Sequence, residues 1–136
     1  MFLRLDFSDS SLVFDTKDFL MITYSTDSIM KIYLLSYDIP FEVNPVTTDE
    51  HIKIFDKVQS YVKVWHVNSC DTKRLASSDM TRTVQYDGKT IILTLGRGER
   101  SDLANNNHSV SIPLCGGSLE ETRNIFQDIC GRLHCV

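Results

Sequence analysis

The amino-acid sequence lacks a long apolar run, and this absence bears on where the protein can reside. Its longest apolar stretches, residues 19–22 and 33–35, are far shorter than the roughly 20 residues that a membrane-spanning helix needs. The opening residues 1–7 include Arg4 and Asp6, so the segment is too short and too acidic for the apolar region of a signal peptide. We therefore expect an intracellular protein, cytoplasmic or nuclear, without a membrane span.

An excess of basic residues is also missing, since the formal net charge is -4. Non-specific nucleic-acid binding needs a basic surface that displaces counterions, and a mildly acidic chain argues against it. A local basic patch is still compatible with this net charge, because Arg82, Arg97 and Arg100 lie in one part of the chain. A subunit of a nucleic-acid-associated complex that uses this arginine patch is therefore our second hypothesis for function.

The four cysteines do not form the close C-x-x-C pairs that structural zinc sites use. His66 precedes Cys70 by four positions, and Cys130 is followed by His134 and Cys135, so both groups offer soft ligands. Cys130 also falls on an apolar helical stripe, where a buried thiol explains it. We expect reduced thiols rather than two disulfides, because no secretory signal is present. No metal and no cofactor is predicted.

Catalytic signatures are absent as well, and we predict a protein that is not an enzyme. The sequence has no G-x-S-x-G motif, although Cys115 precedes Gly116 and Gly117 in a way that suggests an oxyanion turn. A small hydrolase built on Cys115 is our third hypothesis, but the glycines are better explained as a break between a strand and a helix. The glycine-containing loop 96–100 lacks the G-K-[ST] ending of a phosphate-binding loop, although Arg97 and Arg100 are suited to hold an anion.

Period-2 alternation and short polar turns predict strands over most of the chain. Leu3, Leu5 and Phe7 alternate with Arg4 and Asp6, which is typical of a half-buried strand. Residues 19–24 are apolar on both faces, which favours a central strand. The other predicted strands are 12–14, 29–37, 61–67, 80–86, 90–95 and 109–114. We expect connections without regular pairing at 38–46, 68–79 and 96–108, and a type I′ hairpin at residues 87–88.

Two helices are predicted, each introduced by a capping box. Thr47 and Glu50 begin the first, which ends near Ser60 and carries Ile52, Phe55 and Val58 on one face. Ser118 and Glu121 begin the second, which reaches nearly to the end of the chain. Its apolar stripe follows helical spacing through Leu119, Thr122, Ile125, Phe126, Ile129, Cys130 and Leu133. We expect this C-terminal helix to cover the open end or face of the sheet.

The order of four strands, a helix, four strands and a helix indicates an α+β fold of mostly antiparallel sheet, either one curved sheet or two packed sheets. One helix is internal and the other caps the sheet at the C-terminus. This outline is similar to that of pleckstrin-homology-like domains and polo boxes, whose motifs the chain does not carry. No composition shift or Gly/Ser-rich linker divides the sequence, so residues 1–136 are predicted to form a single globular domain.

The strand 29–37 supplies the predicted partner-binding residues. Met30, Ile32 and Leu34 form one wholly apolar row that we expect in the core, while the opposite row includes Tyr33, Leu35 and Tyr37. A solvated face normally holds more polar residues, and tyrosine suits interfaces because its ring is apolar and its hydroxyl keeps a hydrogen bond. The first helix packing over this row within the chain is the competing interpretation.

Residues 61–65 offer an alternative binding face, on which Tyr61, Lys63 and Trp65 share one side of the predicted strand and, if exposed, form a platform that stacks nucleic-acid bases. Burial of Trp65 in the core is the interpretation that we favour. Taken together, the sequence predicts a non-catalytic domain that binds another protein or itself as a homodimer, a scaffold or complex subunit. Its predicted partner-binding residues are Tyr33, Leu35, Tyr37, Arg97 and Arg100.

Overall fold

The computed structural model describes residues 1–68, 71–88, 90–96 and 118–136, and the backbone of 107–112. The strands in this part of the chain are β1 (Phe2–Asp6), β2 (Ser11–Asp15), β3 (Phe19–Ser25), β4 (Met30–Leu34), β5 (Phe41–Val43), β6 (Val64–His66), β7 (Thr72–Ser77), β8 (Thr81–Tyr86), β9 (Ile91–Gly96) and β10 (Asn107–Ile112). The α-helices are α1 (Thr48–Tyr61) and α2 (Leu119–Arg132), and a single 3₁₀ turn spans Thr16–Asp18.

A central sheet of five strands, in the order β5-β4-β3-β7-β6, organises the fold. The prediction that β3 is a central strand is confirmed, because β4 and β7 pair with its two edges and both pairings are antiparallel. Ile22 is fully buried on the first face of this sheet and Met21 on the second, each in a different apolar cluster. A strand buried on both sides reads as a continuous apolar run, which explains the sequence pattern.

Two strands of the central sheet lie where we predicted irregular connections. The short edge strand β5 pairs with β4 within the segment 38–46, and β7 pairs with β3 and β6 within 68–79. The interpretation of both segments as unpaired was wrong. In β7 the chain is polar, yet Arg74, Leu75, Ala76 and Ser77 are all buried, because β7 lies between two paired strands. Position in the sheet decides this burial, and local composition does not reveal it.

The first face of the central sheet is covered by the β1–β2 hairpin and by α1. Thr47 begins α1 with the predicted capping box: its hydroxyl accepts from the Glu50 backbone N–H at 3.1 Å, and the Glu50 carboxylate accepts from the Thr47 N–H. The buried stripe of α1 is His51, Ile54, Phe55 and Val58. Ile52 is exposed, contrary to expectation, because a spacing of three residues drifts around a helix that has 3.6 residues per turn.

The second face is covered by a three-stranded antiparallel sheet, in the order β10-β9-β8, and by α2. Strands β8 and β9 form a hairpin at the predicted position, in which Gly88 has φ +92° and the Asp87 carboxylate accepts from the Thr90 N–H at 2.8 Å. The predicted type I′ turn was wrong, because that turn needs positive φ at both central residues and Asp87 does not have it. Ser118 begins α2 as expected, because its hydroxyl accepts from the Glu121 N–H at 3.1 Å. Ile129 packs into the second cluster, whereas Leu119 is exposed, so the buried stripe begins only at Thr122.

These elements make a mixed α+β fold of mostly antiparallel sheet, with one internal and one C-terminal helix, as predicted. The pleckstrin-homology-like outline stays a prediction. In the ranges that the structure describes, no helix is long and apolar enough to cross a membrane.

Candidate functional site

Tyr33, Leu35 and Tyr37, which the sequence predicted on one row of a strand, do not share a face in the structure. Tyr33 and Leu35 lie on the second face of the central sheet, where Leu35 is buried and Tyr33 packs against the same apolar cluster. The first helix therefore does not cover this row, because α1 packs on the opposite face with Met30, Ile32 and Leu34. The three residues of that opposite row are buried in the core, as predicted.

Tyr37 has left the row because β4 ends at Leu34. The Tyr37 N–H donates to the Leu34 carbonyl at 3.3 Å, which closes a turn and ends the alternation of the strand. The side chain of Tyr37 is 66% exposed. Three residues of the predicted strand 29–37 were expected to bind a partner, and of these Tyr37 is the one whose side chain is exposed to solvent.

Tyr37 stands between two grooves on one corner of the molecule. The first groove, of about 430 Å³, is lined by Leu12, Ile32, Leu34, Tyr37, Ile39, Pro40 and Phe41. The second, of about 500 Å³, adjoins it and includes Phe2, Val13 and Tyr37 together with residues of the β2 end and the 3₁₀ turn. Leu12, Leu34 and Tyr37 line both grooves, so the grooves are neighbours that share a wall.

Large apolar side chains concentrate around these grooves. We call Phe2, Val13, Tyr37 and Ile39 the apolar corner; their exposed fractions are 75%, 58%, 66% and 79%. Scattered exposed apolar residues are normal on a protein surface, but a contiguous group beside apolar grooves marks an interaction site.

The rim of the second groove is polar. Asp15, Lys17 and Asp18 line it, and the Ser36 hydroxyl donates a short hydrogen bond to the Asp18 carboxylate. The hydrogen bond from the Lys17 backbone N–H lowers the pKa of Asp15, so this carboxylate stays charged at neutral pH. An apolar centre with a charged rim is the usual anatomy of a protein interface.

A second, polar cleft of about 500 Å³ lies at the N-terminal turn of α1. Thr48 and His51 line it from the helix, Tyr24 from β3, Lys73 from β7, and Asp71 from the position just before β7. One ammonium and one carboxylate share this lining, so its charges favour neither an anion nor a cation.

His51 is the buried titratable group of this polar cleft. Its ring stacks on Tyr24 with centroids 4.2 Å apart and meets the edge of Phe55 at 4.3 Å. Its Nε2 atom is buried and has no hydrogen-bond partner. Burial lowers the pKa of His51, and the positive charge of Lys73 lowers it further, so the ring is neutral at pH 7.

The predicted stacking platform does not form. Trp65 is buried in the second cluster, as we favoured, and Tyr61 is the last residue of α1 rather than a neighbour on the same strand. Arg82 donates its Nε–H to the Gly96 carbonyl at 2.6 Å. Arg97 and Arg100 lie outside the described residues, so their predicted role in binding stays a prediction.

Two of the four cysteines, Cys70 and Cys115, also lie outside the described residues, together with the hydrolase hypothesis that rests on Cys115. Cys130 and Cys135 are free thiols. Within the described part of the chain, no three His, Cys, Asp or Glu side chains are grouped closely enough to hold a metal ion.

The apolar corner contains three residues that sequence reasoning missed. A signal was present for Phe2, because it belongs to the outward row of β1 with Arg4 and Asp6, where an aromatic residue is out of place. Val13 holds the matching outward position on β2, opposite Arg4. Ile39 follows a turn and had no periodic pattern that could reveal its exposure.

Compared with protein-family models, with curated proteins and with solved structures, the chain matches none of them.

Proposed function

We propose that this chain is a non-catalytic protein-interaction domain that binds an apolar segment of a partner protein at the apolar corner. The observation that carries the proposal is the grouping of Phe2, Val13, Tyr37 and Ile39 around two adjoining apolar grooves. Burying an exposed side chain of this size contributes about 1.5–3 kcal/mol. Four such side chains in one patch therefore provide a binding energy that isolated surface residues do not.

The shape of the corner favours an extended segment over a flat protein surface. Tyr37 lines both grooves, so two side chains of a bound segment can fill the grooves while its backbone crosses Tyr37. Aromatic residues at the centre of such a site are typical binding hot spots. The charged residues Asp15 and Lys17 at the rim select the register of the segment rather than supply its affinity.

Self-association through the same corner is the alternative occupant. In a symmetric dimer the same surface of both copies meets, so Tyr37 of each copy has to fill a groove of the other. Light scattering over a concentration series separates the occupants: a monomer that binds peptides supports a partner segment, and a dimer that Tyr37→Glu dissociates supports a second copy.

The proposal is tested by selecting peptides from a displayed random library and measuring their affinity by fluorescence anisotropy. Tyr37→Glu and Ile39→Glu should each weaken binding at least about tenfold, which corresponds to roughly 1.4 kcal/mol. Ile52→Glu is the matched control, because Ile52 is an exposed apolar residue on α1, away from the grooves. Either of two results would count against the proposal. The first is equal peptide affinity in all three variants, and the second is an enzymatic activity of the protein that Tyr37→Glu leaves unchanged.

A further inference from the structure

The C-terminal end of α2 brings two thiols together through its backbone geometry. His134 has φ +54°, a left-handed conformation, and its N–H donates to the Gly131 carbonyl at 3.3 Å. The next N–H, that of Cys135, donates to the Cys130 carbonyl at 3.0 Å. These two hydrogen bonds, with one left-handed residue between them, define a Schellman motif.

A Schellman motif places the side chain two residues beyond the helix cap against the side chain in the last turn, and an apolar contact usually occupies this position. Here the two residues are Cys135 and Cys130. The backbone hydrogen bonds therefore bring the two cysteines side by side at the end of α2. A disulfide requires Cα atoms within about 7 Å of each other, so a pair of cysteines that the backbone brings together in this way is the arrangement from which one forms.

The two thiols differ in their access to solvent. Cys135 is exposed, whereas Cys130 is half-buried and lines a groove of about 400 Å³ between α2 and β8. Burial, reinforced by the neighbouring Cys135 thiol, raises the pKa of Cys130. An oxidant in solution therefore meets Cys135 first, while Cys130 is placed to react with what forms there.

We propose that Cys130 and Cys135 are a redox-active pair that closes a disulfide across the last turn of α2 when a low-molecular-weight disulfide such as oxidised glutathione is present. The Cys135 thiolate attacks the small disulfide, forms a mixed disulfide and releases one small thiol. The Cys130 thiolate then attacks the Cys135 sulfur, the protein disulfide forms, and the second small thiol leaves with the electron pair. In the overall exchange two protein thiols are oxidised to a disulfide, and one small disulfide is reduced to two thiols.

This disulfide is reversible rather than structural. The loop that it closes is very short, so it restricts the unfolded chain little and gains little stability from that restriction. A disulfide of low stability has a high reduction potential and responds to the redox poise of its surroundings. Its closure fixes Leu133 and the chain end against α2, at the groove that Arg82 and Phe126 also line.

The chain offers a direct experiment, because Arg132 lies between the two cysteines and Arg123 precedes both. The folded protein is equilibrated with reduced and oxidised glutathione at several ratios, and free thiols are then blocked with iodoacetamide. Trypsin is added, and peptides 124–132 and 133–136 are measured by mass spectrometry. We expect the two peptides to be linked by a bond that dithiothreitol breaks, in a fraction that follows the glutathione ratio.

A substitution of Cys130 tests the second chemical step, and substitutions of His134 test the backbone geometry. Cys130→Ser should leave Cys135 trapped as the mixed disulfide with glutathione, because the resolving thiol is gone. His134→Gly should preserve the linked fraction, whereas His134→Val should reduce the ratio of protein disulfide to mixed disulfide about tenfold, because a β-branched residue disfavours the left-handed conformation. Unlinked peptides in the wild type, with Cys135 stably glutathionylated, would overturn the proposal. Linkage of either peptide to Cys70 or Cys115 instead of to each other would overturn it as well.

Discussion

The indole Nε1 of Trp65 donates a hydrogen bond of 2.9 Å to the hydroxyl of Thr81, and this contact joins the two main sheets of the protein. Trp65 belongs to β6 in the central sheet, and Thr81 opens β8 in the second sheet. The Thr81 hydroxyl in turn donates to the Ser77 carbonyl at 2.7 Å. Trp65, which the sequence made a candidate for stacking on nucleic-acid bases, therefore connects the two sheets by a hydrogen bond.

Thr81→Val should destabilise the protein, because valine keeps the shape of the side chain but leaves the buried indole N–H without an acceptor. The expected loss in the free energy of unfolding is about 1–3 kcal/mol, measured by urea denaturation. Thr83→Val in the same strand is the control, since Thr83 is exposed and a surface change of this kind stays within about 0.5 kcal/mol. Equal stability of the two variants would show that the hydrogen bond contributes nothing.

His51 should make stability depend on pH between neutrality and pH 5. The folded pKa of His51 lies below its ordinary value of 6.5, so below that pH the unfolded chain binds the proton more strongly. The stabilising contribution is complete above pH 6.5 and is lost as the pH falls toward the folded pKa. Lys73 faces the ring from β7 and lowers its pKa, while Asp56 on α1 raises it.

His51→Phe should remove this pH dependence, because phenylalanine keeps the ring contacts with Tyr24 and Phe55 and cannot titrate. The test is a series of urea denaturations of both proteins from pH 7.5 to pH 5. The acidic residues with lowered pKa, such as Glu50 and Asp15, lose their contributions only at lower pH and do not confuse the comparison. Parallel curves for the two proteins in this range would contradict the role given to His51.

The C-terminal helix should depend on Ile129 far more than on Leu119. Ile129 is buried in the second cluster, and Ile129→Ala is expected to cost about 2–5 kcal/mol through lost burial and a cavity. Leu119 is 63% exposed, so Leu119→Ala should change stability by less than about 0.5 kcal/mol. Thermal or urea unfolding measures both, and a loss below about 1 kcal/mol for Ile129→Ala would mean that α2 does not cover this face.

Tyr33 and Tyr37 should respond differently to the same substitution. Tyr33 packs against the second cluster, so Tyr33→Glu removes this apolar packing and places a charge there, and it should lower the free energy of unfolding by about 1–3 kcal/mol. Tyr37→Glu should leave the circular-dichroism spectrum and stability unchanged while weakening peptide binding. A stable Tyr33→Glu variant that loses partner binding would instead restore Tyr33 to the interface, as the sequence suggested.

Local signals were sufficient for the elements that their own residues specify. The capping residues Thr47 and Ser118 begin the two helices because their hydroxyls satisfy backbone N–H groups of the first turn, a contact made within four residues. Gly88 marks the β8–β9 hairpin because it adopts positive φ without a steric penalty. Strand β3 was recognised as central because an apolar run on both faces requires two covering layers.

Tertiary structure decided what depends on distant partners. The polar segment β7 is a buried strand because β3 and β6 pair with its two edges. On α1 the buried residue is His51 rather than Ile52, because the His51 ring stacks on the ring of Tyr24 in the sheet beneath the helix. The candidate binding site was also beyond the sequence. Tyr37 was predicted on a row with Tyr33 and Leu35, but the turn after Leu34 carried it to the opposite side, where it meets Phe2, Val13 and Ile39. Alternation specifies which residues share a face only while a strand lasts, and where a strand ends is set by the packing of the rest of the chain around it.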